Sequence, residues 1–178
     1  GSLGLNWSVR YSAQPYRVAL LVTKASHCPY DLLLRELEGE LSCDIPLIIG
    51  NHTDLEKMAK QFDKPFYHLP ITKNTKPQQE AQIKALLAEY QIDLVVMARY
   101  MQILSEQFVE EFSGRVINIH HGFLPAFQGA KPYHQAYDRG VKIIGATSHY
   151  ATADLDEGPI IEQDIQRVKH DNRPEDLV

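Results

Sequence analysis

The sequence predicts an α/β fold with a mostly parallel sheet and helices on both faces. Apolar runs of strand length recur along the chain, and segments with helical spacing of apolar residues separate them. Strands and helices that alternate in this way favour a parallel sheet, because each helix carries the chain back across one face. The chain has 178 residues, 44% of them hydrophobic, which is enough to bury one sizeable core. The predicted architecture is therefore a single Rossmann-like domain.

The first half of the chain contains three predicted strands and two predicted helices. Residues 30–38 have the pattern of a helix. A second helix is predicted to run to Phe62, with Thr53 and Asp54 as its cap. A short oxygen side chain at that position accepts a hydrogen bond from the free amides of the first turn. The strand-like runs are residues 17–23, 45–49 and 66–69.

The second half begins with another helical pattern and continues into four strand-like runs. Pro77 falls in the first turn of this helix, where proline is tolerated. The helix starts at Lys76, and its apolar positions at helical spacing are Ile83, Leu86, Leu87 and Tyr90. A short helix is predicted over residues 106–112. The strand-like runs are residues 92–98, 115–120, 143–150 and 160–165.

Composition argues against several classes of protein. A net charge of −5 and the lack of a basic cluster exclude nucleic acid as the main partner, because phosphate neutralisation needs concentrated Lys and Arg. Cys28 and Cys43 are too few for a disulfide framework or a thiolate metal cage, which favours a reducing, cytoplasmic location. No apolar run approaches the roughly 20 residues that span a bilayer, and the polar amino terminus lacks a signal-peptide pattern. No membrane partner is therefore expected.

Three polar side chains suited to acyl chemistry occur close together. Strand alternation places Asn118 and His120 on one face of the strand over residues 115–120. Asp156 lies in a turn between the last two predicted strands, which would carry it toward the same sheet edge. An amide, an imidazole and a carboxylate are the groups needed to attack a carbonyl, hold an oxyanion and move a proton. Each alone is typical of a strand end, a core histidine or a turn, whereas their joint pattern indicates catalysis.

Longer motifs around these residues carry a resemblance to a known family. The chain reads M-A-R-Y-M-Q at residues 97–102, N-I-H-H at 118–121, G-A-K-P-Y-H at 129–134 and L-D-E-G-P at 155–159. From about residue 17 to its end, it resembles the formyl-folate transferase and hydrolase superfamily. Within that superfamily it is most similar to the formyltetrahydrofolate deformylases. Glycinamide ribonucleotide formyltransferases are also similar, but they usually have proline at the position of His121.

The resemblance implies an activity, a fold and a set of site residues. The activity is hydrolysis of 10-formyltetrahydrofolate to formate and tetrahydrofolate, with Asp156, His120 and Asn118 as catalytic residues. The fold is the formyltransferase fold, with antiparallel strands toward the carboxyl terminus. A pterin pocket is also implied, in which backbone groups bond the heterocycle and apolar side chains hold its faces. The implied substrate-binding residues are Met97, Arg99, Met101, Gln102, Ile103, Leu104, His121, Gly129, Thr152 and Asp154.

The same resemblance implies how the protein works in the cell. The folate is itself the substrate, so no separate cofactor is expected. A homo-oligomer is implied, as is a role in supplying formate and balancing one-carbon folate pools for purine biosynthesis.

The loop after the first strand bears on which molecule accepts the formyl group. A phosphate site at a strand-to-helix turn favours glycines, because backbone amides must approach the anion closely. Residues 23–29 contain no glycine, which favours water as the acceptor, although Lys24 and Ser26 remain available to an anion. The alternatives are a phosphoribosylglycinamide formyltransferase and a folate-binding regulatory domain without turnover. Retention of the three catalytic residues argues against the second alternative.

Two further histidines and one cysteine have roles that the sequence leaves open. His121 either fills space where relatives have proline or positions the hydrolytic water, and His149 is interpreted as structural. With His120 and Asp156, these histidines offer the ligands of a catalytic zinc. Adjacent histidines on a strand point to opposite faces, so only one of His120 and His121 is expected to be able to ligate, which favours a metal-free site. Cys28 has no base paired with it in any motif and is interpreted as packed.

The two ends of the sequence favour a catalytic-domain segment of a longer protein. Residues 1–16 are interpreted as a tag remnant and a linker, and residues 17–178 as the catalytic domain. Deformylases of this family usually carry an amino-terminal ACT domain, for which residues 1–16 are too short. Residues 171–176 have the pattern of a helix start, which implies a further carboxyl-terminal helix.

Overall fold

Strands and helices alternate along the part of the chain that the computed structural model describes, residues 14–173 and Asp176. The strands are β1 (Tyr16–Val22), β2 (Cys43–Gly50), β3 (Phe66–His68), β4 (Leu94–Met97), β5 (Val116–His120), β6 (Ile143–Tyr150) and β7 (Ile160–Arg167). The helices are α1 (His27–Leu37), α2 (Glu56–Gln61), α3 (Lys76–Glu89), α4 (Glu106–Glu111) and α5 (Pro132–Asp138). Across these residues, no helix combines the length and the apolar character that crossing a membrane requires.

All seven strands belong to one sheet in the order β3-β2-β1-β4-β5-β6-β7. The strands from β3 to β5 pair in parallel, whereas β6 pairs antiparallel with both β5 and β7. The prediction of a mostly parallel sheet with antiparallel strands toward the carboxyl terminus is confirmed. The β5–β6 register sets Asn118 opposite His149 and His120 opposite Thr147. This register decides which side chains of β6 can reach the functional residues of β5.

Two hydrophobic cores lie on opposite faces of the sheet. Along β1, Ala19 and Leu21 belong to one core, and Val18, Leu20 and Val22 belong to the other, as the two-residue period of a strand requires. Side chains of α3 and α4 complete the first core, and side chains of α1 and α2 complete the second. Burial on both faces is typical of central parallel strands. The prediction of helices on both faces is confirmed.

Two predicted helix starts differ from the structure. α1 begins at His27 rather than at residue 30, because the Tyr30 amide already bonds to the Ser26 carbonyl at 2.9 Å. α2 begins at Glu56 after an N-cap residue that makes no side-chain cap hydrogen bond. The predicted cap from Thr53 and Asp54 was therefore wrong. The Glu56 amide bonds instead to the backbone carbonyl of Thr53 at 3.1 Å.

The sequence did not predict α5, which follows the G-A-K-P motif. Its buried residues are Pro132 and Ala136, too few to produce a visible helical period over seven residues. Its N-cap residue, Lys131, has a left-handed backbone with φ of 54° and provides no capping side chain.

The predicted linker and the predicted last helix lie mostly outside the described residues. Of the linker over residues 1–16, only residues 14–16 are described. Of the helix start over residues 171–176, only residues 171–173 and Asp176 are described.

Candidate active site

A cavity of about 240 Å³ lies beyond the carboxyl ends of β4 and β5. Open α/β sheets bind ligands at this edge, so the cavity lies where the topology favours a site. Every residue predicted for catalysis or substrate binding lines it: Asn118, His120, Asp156, Met97, Arg99, Met101, Gln102, Ile103, Leu104, His121, Gly129, Thr152 and Asp154. His149, which the sequence analysis interpreted as structural, also lines it, and the remaining lining residues were not predicted as site residues: Tyr100, Val109, Ile119, Ala130, Ala151 and Leu155.

The orientation of Asn118 is fixed by His149 on the neighbouring strand. Nδ1 of His149 lies 3.0 Å from the Tyr150 carbonyl oxygen, which can only accept, so Nδ1 carries a hydrogen. With the ring neutral, Nε2 of His149 accepts a hydrogen from the Asn118 side-chain nitrogen, 3.1 Å away. The second hydrogen of that amide group remains available to a ligand in the cavity. His149, interpreted as structural from the sequence, thus positions the predicted oxyanion donor.

Asp156 and His120 form the second half of the site. Nε2 of His120 donates to the Phe127 carbonyl at 3.0 Å, which leaves Nδ1 facing Oδ2 of Asp156 at 3.4 Å. Oδ2 also accepts from the Gly129 backbone amide at 2.9 Å. Oδ1 lies 3.7 Å from Nε2 of His149, which is too far for a direct hydrogen bond. Oδ1 is therefore the oxygen best placed to accept a hydrogen from a bound water.

The carboxyl group of Asp156 is ionised although its side chain is only 4% exposed. Burial raises its pKa, but the nearby His149 side chain, the Gly129 amide and the charge of His120 lower it more. The net result is a pKa below the usual 3.8. Only a protonated Nε2 of His149 would favour the anion, so with the tautomer that bonds Asn118 the groups that favour ionisation are the Gly129 amide and the charge of His120. Asp156 at neutral pH is thus a buried anion that can hold a water and accept its proton.

The backbone around the site is strained at three residues. Arg99, Phe127 and Asp156 have φ values of 59°, 58° and 58°, in the left-handed region that costs most non-glycine residues free energy. Arg99 and Asp156 line the cavity, and the Phe127 carbonyl contacts His120. Strain of this kind persists where surrounding structure enforces it, commonly at functional sites. Gly158 assists the Asp156 turn, because a side chain there would collide with the Tyr150 carbonyl oxygen.

The loop after β4 forms the wall of the cavity and is anchored from two sides. The Met101 amide donates to the Thr23 hydroxyl at 3.0 Å. On the other side, the Glu80 carboxylate accepts from the backbone amide of Ser105 at 2.8 Å and from its hydroxyl at 2.5 Å. Gln79 donates to the Tyr100 hydroxyl at 3.1 Å. These anchors fix the backbone of the predicted pterin-binding segment before any ligand arrives.

The structure corrects the predicted orientation of His121. The sequence analysis placed His120 and His121 on opposite faces, but both rings line the cavity, with their centroids 5.6 Å apart. The alternation fails because β5 ends at His120. The ring of His121 also makes an edge contact with Tyr133, at 5.7 Å between centroids. Within the described residues, no group of three or more His, Cys, Asp or Glu side chains is arranged to hold a metal ion.

His121 and Cys28 are both uncharged at neutral pH. Burial lowers the pKa of His121 to about 4, and the charge of Arg99 contributes in the same direction. Burial raises the pKa of the Cys28 thiol to about 11, so this cysteine is a poor nucleophile, as its lack of a base partner indicated.

The depressed pKa of His121 predicts a specific pH dependence of stability. Between pH 6.5 and about 4 the unfolded chain protonates this histidine while the folded chain does not. The unfolded state then binds more protons, so the free energy of unfolding decreases as the pH falls through this window. A His121→Asn variant lacks the titrating ring and is expected to lose less stability than the wild type over the same range. Thermal unfolding at a series of pH values measures the difference.

The matched control for this prediction is His134→Asn, at an exposed position on α5. Its pH profile is expected to follow the wild type. If the His121→Asn and wild-type profiles ran parallel from pH 6.5 to 4, His121 would not be the buried neutral ring described above.

Comparison with known proteins places this geometry in a family. Residues 16–178 match the family model described as formyl transferase. The chain is 58% identical over 176 residues to a protein of Synechocystis named formyltetrahydrofolate deformylase, covering 99% of this chain and 62% of that protein. A protein of the same name from Escherichia coli K12 is 49% identical over 165 residues, covering 91% of this chain and 58% of its own length. The chain thus spans about three fifths of the length of these relatives.

Solved structures agree with the sequence comparisons. A formyltetrahydrofolate deformylase from Pseudomonas syringae superposes with a TM-score of 0.90 at 52% identity, covering 93% of this chain and 56% of that one. A phosphoribosylglycinamide formyltransferase from Anaplasma phagocytophilum gives a TM-score of 0.84 at 32% identity, covering 92% of this chain and 78% of that one. These matches share one fold across nearly the whole described chain. The chain therefore belongs to the formyl transferase family.

Proposed function

We propose that this chain carries the hydrolytic site for 10-formyltetrahydrofolate, releasing formate and tetrahydrofolate. One geometric observation carries this proposal: Asn118 and His120 of β5 and Asp156 of the later β6–β7 loop converge on one cavity, and the carboxylate is ionised. The high identity to relatives named formyltetrahydrofolate deformylase supports the substrate. The cavity offers the three kinds of group that attack on a formyl carbon requires.

In this proposal, Asp156 activates the attacking water. Oδ2 accepts a hydrogen bond from the Gly129 amide and faces His120. Oδ1 makes no direct hydrogen bond to any described residue. A water bound to Oδ1 loses a proton to the carboxylate as its oxygen bonds to the formyl carbon. General base catalysis of this type contributes about 10²–10⁴ in rate. Neutral His121 borders the same space and has the donor and acceptor needed to orient that water.

The oxyanion that forms on the formyl oxygen is held by Asn118 and His120. The second amide hydrogen of Asn118 is free because His149 already binds the first. The Nε2–H of His120 donates to the Phe127 carbonyl in this structure. If the substrate oxygen replaces that carbonyl, Nε2–H becomes the second donor to the oxyanion, beside the Asn118 amide. Donors oriented before the reaction stabilise the developing charge without reorganising during it.

Collapse of the tetrahedral intermediate breaks the bond between carbon and the folate nitrogen. The nitrogen takes a proton from His120 or Asp156 as it leaves, and the products are tetrahydrofolate and formic acid, which ionises to formate. The water supplies the oxygen and hydrogen added across the broken bond, so the reaction consumes no redox partner or metal. The anchored loop from Met97 to Leu104 holds the pterin ring.

The proposal extends to the setting of the reaction. The enzyme works without a separate cofactor, as a homo-oligomer in the cytoplasm, and the formate it releases feeds one-carbon metabolism and purine biosynthesis. The family resemblance supports this setting.

The decisive experiment is a formate-release assay with 10-formyltetrahydrofolate, run with and without glycinamide ribonucleotide. We expect formate and tetrahydrofolate to appear in equal amounts without the nucleotide, because water is the acceptor. The nucleotide is expected neither to become formylated nor to accelerate loss of the formyl group, since the loop over residues 23–29 lacks the glycines of a phosphate site. Mass spectrometry of the nucleotide and a spectrophotometric assay of tetrahydrofolate measure both outcomes.

The other functional classes give different results in this assay. Formylated nucleotide at a rate that rivals hydrolysis would identify a phosphoribosylglycinamide formyltransferase. Binding of the folate without any loss of the formyl group would identify a regulatory binding domain.

A further inference from the structure

Arg99 is a half-buried cation that forms no ion pair with a described residue. It lines the cavity directly after β4, and its Nε is buried without a hydrogen-bond partner. No carboxylate within the described residues forms an ion pair with it. Burial lowers the pKa of its guanidinium group, yet arginine stays protonated in proteins. A buried guanidinium N–H without an acceptor is costly unless a ligand supplies one.

The groups whose pKa the charge of Arg99 affects are neutral and come from two helices and the loop after β5. Its charge acts on His27 and Cys28 at the start of α1, on Tyr133 of α5 and on His121. None of these side chains is a carboxylate. The backbone of Arg99 is also left-handed, with φ of 59°, a conformation that is unfavourable for arginine. The fold therefore holds a cation that has no ion pair among the described residues, on a backbone conformation that is unfavourable for arginine.

His121 connects this cluster to the catalytic residues. Burial lowers its pKa most, the charges of Arg99, His120 and His27 lower it further, and Asp156 raises it. Its ring contacts both His120 and Tyr133. Arg99 and His121 line the same cavity as the catalytic residues, so a product released there has access to both.

We infer that Arg99, with His121 and Tyr133 beside it, forms a subsite for a small carboxylate, and that its ligand is the formate produced in the cavity. This inference rests on the proposed hydrolysis for the identity of the ligand. The planar guanidinium fork matches the two oxygens of a carboxylate, which a lysine ammonium does not. The subsite is distinct from the Asn118 and His120 donors, which face the formyl oxygen.

The chemistry of hydrolysis explains why such a subsite is useful. Attack by water converts a neutral formyl group into an anion next to the ionised Asp156, and two carboxylates in one small cavity repel each other. The cation of Arg99, which lines the same cavity, draws the product anion away from Asp156. The carboxylate is then free to bind the next water. Arg99 is in this account a product-binding residue and takes no part in bond breaking.

Direct binding of formate tests the subsite without requiring turnover. We expect carbon-13-labelled formate to bind the wild-type protein with a dissociation constant of about 1 mM or weaker, because three heavy atoms support only modest affinity. Arg99→Gln is expected to weaken this binding about 10-fold or more, the loss typical of a charge-assisted hydrogen bond. Arg99→Lys keeps the positive charge but loses the two parallel N–H donors of the guanidinium group. Its affinity for formate is therefore expected to lie between those of the wild type and Arg99→Gln. Product inhibition by formate in the hydrolysis assay should weaken in the same order.

Two controls separate this subsite from general positive charge. Lys24→Gln removes an exposed cation from the loop after β1 and is expected to leave formate affinity unchanged. Arg99→Gln is expected to unfold at a temperature no lower than the wild type, because it removes a half-buried charge that has no ion pair with a described residue. Equal formate affinity in Arg99→Gln and the wild type would overturn the inference. Chloride that competes as well as formate would overturn the assignment to a carboxylate.

Failure of this inference is distinguishable from failure of the proposed function. If the protein hydrolyses the folate but formate binding does not depend on Arg99, the subsite is refuted and the proposed hydrolysis stands. Arg99-dependent formate binding in a protein that releases no formate from the folate would keep a carboxylate subsite, and it would remove hydrolysis as the source of its ligand.

Discussion

Replacement of Asp156 by asparagine is expected to reduce kcat/KM for formate release by about 10³-fold or more, within the range for loss of a positioned general base. The amide has the same shape and can still accept from the Gly129 amide, but it cannot take a proton from the attacking water. Folate binding and the fold should survive, because the substitution is isosteric and adds no volume to the buried turn. Single-turnover formate release, folate titration and thermal unfolding measure the three quantities.

The matched control for Asp156→Asn is Glu157→Gln. It removes a carboxylate from the next position of the same turn, but this side chain is exposed and does not line the cavity. Its hydrolysis rate is expected to stay near that of the wild type. A folded Asp156→Asn protein that hydrolyses the substrate at the wild-type rate would remove Asp156 from the mechanism.

The sequence predicted the sheet and the position of the main catalytic groups because both depend on patterns within short segments of the chain. The apolar runs that form β1 and β5 are long enough to show a strand period, and parallel topology brings their carboxyl ends to one edge. Asn118, His120 and Asp156 were identified from their residue types and motif. The cavity that contains them follows from topology rather than from any single residue.

The details that the sequence missed depend on contacts between distant segments. The role of His149 follows from its register opposite Asn118, 31 residues away, and register across an antiparallel pair is not visible in one strand. The orientation of His121 depends on where β5 ends, and strand ends are among the least predictable features of a sequence. The sequence could not predict that Arg99 lacks a partner for a related reason. Only the folded structure shows which groups lie within hydrogen-bond reach of its Nε.

Replacement of Asn118 by alanine is expected to lower kcat by about 10²–10³-fold, the usual loss when one oriented oxyanion donor is removed. Its free amide hydrogen acts on the charge that develops during attack, so KM should change little while kcat falls. His149→Leu, which removes the acceptor that holds the Asn118 amide, is expected to lower kcat by a smaller factor, because the donor remains but is no longer oriented. Steady-state kinetics with 10-formyltetrahydrofolate separate the two parameters.

Ser148→Ala provides the control for both substitutions on this strand pair. Ser148 pairs with Ile119 and points to the opposite face, where its hydroxyl contacts the Glu162 carbonyl at 3.3 Å. Its loss tests whether any change in β6 disturbs catalysis, and we expect kcat close to that of the wild type. If Asn118→Ala kept kcat within a few-fold of the wild type while remaining folded, the oxyanion would have to be held by other groups. Among Asn118, His120 and Asp156, His120 would then be the remaining side-chain donor. The His120→Ala substitution would in that case lower kcat more than Asn118→Ala does.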